Sequence, residues 1–484
     1  MADKKAGSDA TLGDMEFSGL TSDSRKVRPG YLFAALSGSK TDGARFIRDA
    51  VARGATAVLG VPSLAGEVAE TGARFIADEN PRARLARMAA AFFRAQPATI
   101  AAVTGTKGKS SIVAFLREIW TALGHPAASL GTVGVVGPKG ALALSHTTPD
   151  PVEIHALLAE LAGQGVDHLA IEASSHGLDQ HRLDGARIGA VAFTNITRDH
   201  MDYHPTFDAY LAAKLRLFSQ VAQDGAVAVV NADAAHAEGF VSTARARGLK
   251  LMTVGEQGEE LKLVGRESLG DSQRLSIVHA GHTYAVMLPL AGAFQASNAL
   301  VAAALAIGLG EDPAKVIAAL AALKGAPGRM EKVAFAASGA PIYVDYAHTP
   351  DSLEKVLEAL RPHTAGKLHV VFGCGGDRDR GKRPLMGAIA ARMADAVIVT
   401  DDNPRSEDPA AIRAEILAGA PGAREIGDRA AAIRAGVADL GQGDVLVIAG
   451  KGHETGQYIK GVTHPFSDHE QAVAAAVDLG GRAA

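Results

Sequence analysis

The chain of 484 residues is 47% hydrophobic and 21% charged, carries a net charge of -4, and has one cysteine, Cys374. That balance excludes a disulfide framework and a cysteine-rich metal site, offers no basic field for nucleic acid, and is ordinary for a soluble globular protein. At about 150 residues per domain the length suggests roughly three domains.

The start is polar, without an apolar signal core, and no later run has the length of a membrane span, so the expected location is cytoplasmic. Residues 31–36, 44–53, 57–61 and 74–77 carry short strand and helix signals, a small N-terminal α/β unit. Ser22 and Ser24 lie just before a Pro29-Gly30 turn, and Ser39, Lys40 and Thr41 lie in a second polar loop. By chemistry alone both stretches are plain turns. A helix over 81–94 begins on Pro81 and stops before Pro97, placing a first domain at 1–97.

Residues 99–103 predict a buried strand, Gly105 and Gly108 permit a tight turn, and 110–123 has apolar residues at helical spacing. A strand, glycine loop and helix in this order point backbone N–H groups at one spot. Lys109 can neutralise phosphate oxygens there and the Ser110 hydroxyl can take a Mg²⁺ position, so a nucleoside triphosphate is expected. Val103 replaces the first glycine of the standard pattern, which makes this a variant phosphate loop. Strands over 166–172, 188–194 and 226–231, with helices over 152–162 and 207–221, predict a doubly wound, P-loop-like parallel sheet covered on both faces and spanning 98–328. Ligands gather beyond the carboxyl ends of such strands, which puts the Gly105 loop, 172–176 and 194–200 on one rim. Glu172 and His200 are each expected at a strand end, either as Mg²⁺ ligands or as capping and core hydrogen-bonding groups. On spacing alone Lys214 reads as a snorkelling surface lysine.

Strands over 341–345, 367–373, 396–400 and 445–449 predict a C-terminal Rossmann-like α/β domain at 329–484, with polar loops after three of them. Cys374, among glycines, is expected to be a small packed residue and not a reactive thiol.

The runs 103–111, 172–176, 195–204, 327–331 and 344–351 together resemble the Mur ligases of peptidoglycan synthesis, over essentially the whole chain. Asp402-Asn403-Pro404-Arg405 resembles the motif of those members that add meso-diaminopimelate to UDP-N-acetylmuramoyl-L-alanyl-D-glutamate. The resemblance implies ATP-dependent amide formation through an acyl phosphate, with Lys109, Glu172, His200 and Lys214 catalytic. It implies that Lys214 is carbamylated by CO₂ and that the carbamate joins Ser110, Glu172 and His200 on Mg²⁺. Two unit charges about 4 Å apart at an effective dielectric near 20 interact by roughly 4 kcal/mol, so a carbamate is favoured over an ammonium beside a dication.

By the same resemblance Gly105, Thr106, Lys107, Gly108, Lys109, Ser110 and Ser111, with Asn298, Arg329 and Asp345, hold ATP. Ser22, Ser24, Ser39, Lys40, Thr41, Thr147, Thr148, Ser174, Gln180 and Arg182 hold the UDP-muramoyl-peptide. Arg378, Asp402, Asn403, Pro404, Arg405, Gly450 and Glu454 hold diaminopimelate, where Arg405 can clamp a carboxylate and Asp402 and Glu454 can receive an ammonium. The partners implied are these three substrates, with no nucleic acid, and the expected state is a monomer. Lys107, His146 and Gln295 depart from the family pattern, and the last two are left out of the site. The rival readings are a folylpolyglutamate synthetase and a non-catalytic sensor of nucleotide or wall precursors.

Overall fold

The computed structural model describes residues 17–38, 42–144 and 146–484; Ser39, Lys40 and Thr41 lie outside them. The first sheet has four parallel strands in chain order, Gly19–Thr21, Tyr31–Ala34, Ala55–Gly60 and Arg74–Ala77. The helix Pro81–Phe93 begins with the Asn80 side chain accepting the Ala83 amide, and proline fills its first turn where no N–H is needed. Its Leu85 and Met88 pack on Leu32 and Leu59 of the sheet.

The second sheet has a parallel core, in spatial order Lys250–Gly255, Val227–Asn231, Ala190–Phe193, Thr99–Thr104, His168–Glu172 and Ala127–Gly131. Alternation along Thr99–Thr104 sends Ala101 and Val103 to one face and Ile100 and Ala102 to the other. The first face is covered by helices Lys109–Ala122 and Ala293–Gly308, the second by Pro151–Gly163, Phe207–Arg216 and Ala237–Ala246. Both faces are dry, as the continuous apolar strands predict.

The sheet is nevertheless mixed, which corrects the expectation of a parallel one. Leu261–Leu269 joins Lys250–Gly255 in parallel and is followed by antiparallel Ser272–His279 and His282–Leu288 on one edge, and antiparallel Gly134–Gly137 with Gly140–Leu142 extends the other. These segments keep one face in solvent, so they lack the unbroken apolar run by which buried strands are recognised. The helix expected over 207–221 is α-helical to Arg216 and finishes as a π-helical turn, Leu217–Val221.

The third sheet runs Arg424–Glu425, Ala396–Val399, Leu368–Phe372, Val445–Ala449 and Pro341–Asp345, all parallel, followed by antiparallel Glu331–Phe335 and Arg482–Ala483. The fold is therefore α/β in three units. Among the described residues no helix is long and apolar enough to cross a membrane.

Candidate active site

The loop between strand Thr99–Thr104 and helix Lys109–Ala122 forms as its sequence predicts. Gly105 sits at φ 152, and a Cβ there would lie 1.9 Å from Thr194 Oγ1; Gly108, at φ 88, caps the helix without a side-chain bond. The first amides of that helix thus keep their N–H groups directed at the loop mouth. Thr194 and Asn195, just past strand Ala190–Phe193, clamp the loop. The Thr106 amide donates to Asn195 O at 2.9 Å, the Lys107 amide to Asn195 Oδ1 at 3.0 Å, and Thr194 Oγ1 to Lys107 O at 2.6 Å. Alanine at 105 should therefore cost about 1–3 kcal/mol through overpacking against Thr194, read as a lower urea midpoint with an unchanged slope. An unchanged midpoint would contradict the clamp.

Lys109 Nζ donates to Gly105 O at 2.8 Å and Thr106 O at 2.9 Å. Lys214 Nζ donates to the same Gly105 oxygen at 2.8 Å and lies 4.4 Å from the Tyr210 ring centre. Lys214 is 1% exposed, so the snorkelling reading from spacing is wrong: the helix turns this residue inward onto the loop. Burial, and then the Lys109 charge, hold its pKa well below the ordinary lysine value, with Asp199 opposing. Burial also lowers Lys109, with the Glu172 carboxylate pulling the other way. Tyr210, pushed up to about 12 by burial, stays a neutral phenol bonded to Thr106 Oγ1 at 2.9 Å.

Glu172 ends its strand as expected and is buried. Its Oε1 accepts the Thr132 amide at 2.8 Å and its Oε2 the Thr132 hydroxyl at 3.2 Å, and a Cβ at Gly131 would strike it. His200 is not at a strand end. It lies in the turn beyond Ala190–Phe193, at φ 55, half-exposed and edge-on to His176 with ring centres 4.9 Å apart. Polar loop residues after the strand carry it away from the sheet. His176 is held down to about 4, by burial first and then by His200 and His204, and is therefore neutral at physiological pH.

A cavity of about 320 Å³ opens beside the loop, lined by Asn195, Asn231, Asp233, Arg266, Phe294 and Asn298 among others. Asn298, expected here, donates to Gln295 Oε1 at 3.0 Å, and Gln295 donates to Arg329 O at 3.2 Å. Gln295, a departure from the family pattern, is fully buried and braces two expected site residues. His146 is exposed. Asp345 accepts the Met330 amide at 2.7 Å and the Ala347 amide at 2.8 Å, and burial raises its pKa against the pull of Arg329. Arg329 stacks on Tyr346 at 4.9 Å, and its Nε has no hydrogen-bond partner among the described residues. Lys107, the departure within the loop, forms an ion pair with Asp351 on helix Pro350–Leu360.

The peptide-side residues form one connected group. Thr148 Oγ1 donates to Glu172 O at 2.9 Å and is 3.0 Å from Ser174 Oγ, Thr147 Oγ1 is 3.0 Å from Thr132 Oγ1, and Arg182 donates to both Thr148 O and Gln180 Oε1. Ser24 is buried and Ser22 exposed, both in the first unit.

In the third sheet the loops after Leu368–Phe372, Ala396–Val399 and Val445–Ala449 meet. Asn403 donates to Glu454 Oε2 at 2.9 Å and accepts from buried Lys451 at 3.0 Å and from the Tyr458 amide at 2.9 Å. Lys451 also donates to Glu454 at 3.0 Å, so that carboxylate already has a cation. Arg405, at φ 54, donates through Nη1 to Gly376 O at 2.8 Å. Pro404 O and Gly450 crowd against neighbours: a Cβ at Gly376 would lie 2.0 Å from Pro404 O, and one at Gly450 2.6 Å from Asp402 Oδ2. Arg378 is exposed, donating to Asp377 O at 3.0 Å. Sequence reasoning missed Arg429, whose fully buried guanidinium pairs with Asp468 and ties Asp401 O to Ala449 O across two of the loops. No local motif marks such a residue. Cys374 is buried, with burial pushing its thiol up to about 12, as a packed residue requires.

Comparison with known proteins matches the Mur ligase middle domain to residues 103–306, the Mur ligase glutamate ligase domain to 328–452, and the domain described as Mur ligase family, catalytic domain, to 16–93. A UDP-N-acetylmuramoyl-L-alanyl-D-glutamate--2,6-diaminopimelate ligase of Bradyrhizobium diazoefficiens is 59% identical, over 96% of this chain and 95% of its own. The enzyme of the same name from Agrobacterium fabrum is 52% identical over 97% and 95%. A solved structure of a ligase of that name is 36% identical and superposes with a TM-score of 0.74, covering 98% of this chain and 97% of its own.

Proposed function

Because the chain belongs to the Mur ligase family, we propose that it joins meso-diaminopimelate to the D-glutamate carboxylate of UDP-N-acetylmuramoyl-L-alanyl-D-glutamate at the expense of ATP, as a cytoplasmic monomer in peptidoglycan precursor synthesis. In this reading residues 1–97 anchor the UDP-muramoyl substrate, 98–328 bind ATP and 329–484 bind the amino acid. The observation that carries it is the convergence of Lys109 and Lys214 on one carbonyl oxygen of the phosphate loop, on the same rim as Glu172 of the neighbouring strand.

The helix amides and Lys109 take the triphosphate, and Arg329, with an unpartnered Nε, approaches it from the third unit. An oxygen of the D-glutamate carboxylate attacks the γ-phosphorus and ADP leaves. The diaminopimelate amine then attacks the acyl carbon, phosphate departs, and the amine loses a proton. The neutral Lys214 amine can attack CO₂, forming an N–C bond and releasing one proton, which turns a repelled cation into an anion. Ser110, Glu172, His200 and a carbamate on Lys214 would hold Mg²⁺, a donor set made up mostly of the oxygen that this ion prefers. Bound there, Mg²⁺ would supply charge neutralisation for the transferring phosphoryl group.

The test is phosphate release with Mg-ATP and UDP-N-acetylmuramoyl-L-alanyl-D-glutamate, comparing meso-diaminopimelate, L-lysine and no amino acid. Release together with a mass-shifted product is expected with diaminopimelate alone. Equal use of lysine would remove the role given to Arg405, and no product with either amine would remove the ligase reading.

A further inference from the structure

Three side chains from three separate elements meet at the amino ends of the central strands, on the opposite rim from the phosphate loop. His125 is in the turn between helix Lys109–Ala122 and strand Ala127–Gly131, His168 opens the strand His168–Glu172, and Glu311 follows helix Ala293–Gly308. One ligating atom from each lies within 4.8 Å of the other two. His125 Nε2 is 2.8 Å from Glu311 Oε1, and the two imidazole centres are 4.1 Å apart. His168 Nδ1 donates to Asp167 Oδ1 at 2.6 Å. The ligase chemistry uses none of these groups.

We propose that His125, His168 and Glu311 bind a transition-metal dication of the zinc class, at a site separate from the catalytic rim. The Asp167 carboxylate on Nδ1 fixes the His168 tautomer and leaves Nε2 as the ligand atom, the arrangement by which metal-binding imidazoles are oriented. Two imidazoles and one carboxylate suit Zn²⁺, Co²⁺ or Ni²⁺ and are a poor set for Mg²⁺, which prefers oxygen. Three protein ligands leave a fourth tetrahedral position for water. Metal bonds of about 2.0–2.2 Å place donors roughly 3.3 Å apart, so the widest pair has at most about 1.5 Å to close through side-chain rotation. His125 and Glu311 are already closer than that. The backbone beneath is fixed, with the His125 amide bonded to Trp120 O at 2.9 Å and the Glu311 amide to Ala306 O at 3.1 Å. Side-chain exposures of 30%, 21% and 13% for His125, Glu311 and His168 leave a path for the ion.

The experiment is a Co²⁺ titration of the full, metal-stripped chain in excess Mg²⁺, followed by visible absorption. One equivalent with the intense bands of tetrahedral Co²⁺, displaced by Zn²⁺, is expected. His125→Gln, His168→Gln and Glu311→Gln should each abolish the bands while ligase turnover is kept, and Asp167→Asn should weaken binding about tenfold. No bands, or bands that survive in all three variants because His176, His200 and His204 hold the ion, would overturn the proposal. An anomalous difference map at the cobalt edge gives the answer without any substitution: a peak between His125 and His168 supports the site, and a peak elsewhere alone refutes it.

Discussion

Lys214→Met should lower kcat by about 10³-fold, or roughly 4 kcal/mol of barrier, while leaving the folded chain at least as stable. Methionine nearly matches the buried volume, and Gly105 O keeps its bond from Lys109, so no carbonyl is stranded. The substitution removes a buried amine whose ammonium form is disfavoured by burial and by the Lys109 charge. Without CO₂, the folded chain binds fewer protons at this nitrogen than the unfolded chain, where lysine titrates at about 10.4, so this site makes stability rise with pH between its lowered folded value and that one. Urea unfolding of the parent chain at two alkaline pH values in CO₂-free buffer should show that rise, and the methionine variant should lack this contribution. Parent-like turnover in Lys214→Met would remove the residue from the mechanism, whatever its burial.

Arg405→Leu should raise KM for diaminopimelate about 10²-fold, since a charge-assisted hydrogen bond is worth roughly 1.5–3 kcal/mol and a forked pair is lost. The KM values for ATP and for the UDP-linked substrate should stay within about twofold. Leucine keeps part of the apolar stem, and the left-handed backbone at 405 is no worse for it than for arginine. Because Arg405 also holds Gly376 O, loss of function could come from a loosened loop. Arg405→Lys separates the two: a point charge without the planar fork should recover little of the KM. Full recovery by lysine would show that charge alone suffices.

The phosphate loop was legible because its signals are local: two glycines, a lysine and a hydroxyl between a strand and a helix. Glu172 was legible for the same reason, as a lone carboxylate closing an apolar strand. Lys214 was misread because its burial comes from the Gly105 loop, far away in the chain, packing over an otherwise ordinary helix. Likewise the importance of Gln295 rests on what Asn298 and Arg329 do in space, and Arg429 acts through carbonyls on two loops that only the third sheet brings together. The edge strands over 261–288 escaped notice because one face is wet, and their alternation is weaker than a buried run.

The short strands that close the sheets bear on how the chain behaves when concentrated. The first sheet ends in Gly19–Thr21 and Arg74–Ala77, the third in Arg424–Glu425 and Arg482–Ala483, and one side of the second in the fully exposed Gly140–Leu142. The other side ends in the longer His282–Leu288, against which Pro313–Ala319 and Leu320–Ala322 pack. Among the described residues, a foreign strand seeking open N–H and C=O groups therefore finds only edge templates of two to four residues, or a longer one against which helix packs. Polymerisation by strand addition has little to start from, and a large mixed sheet can exist in a crowded solution without recruiting its neighbours.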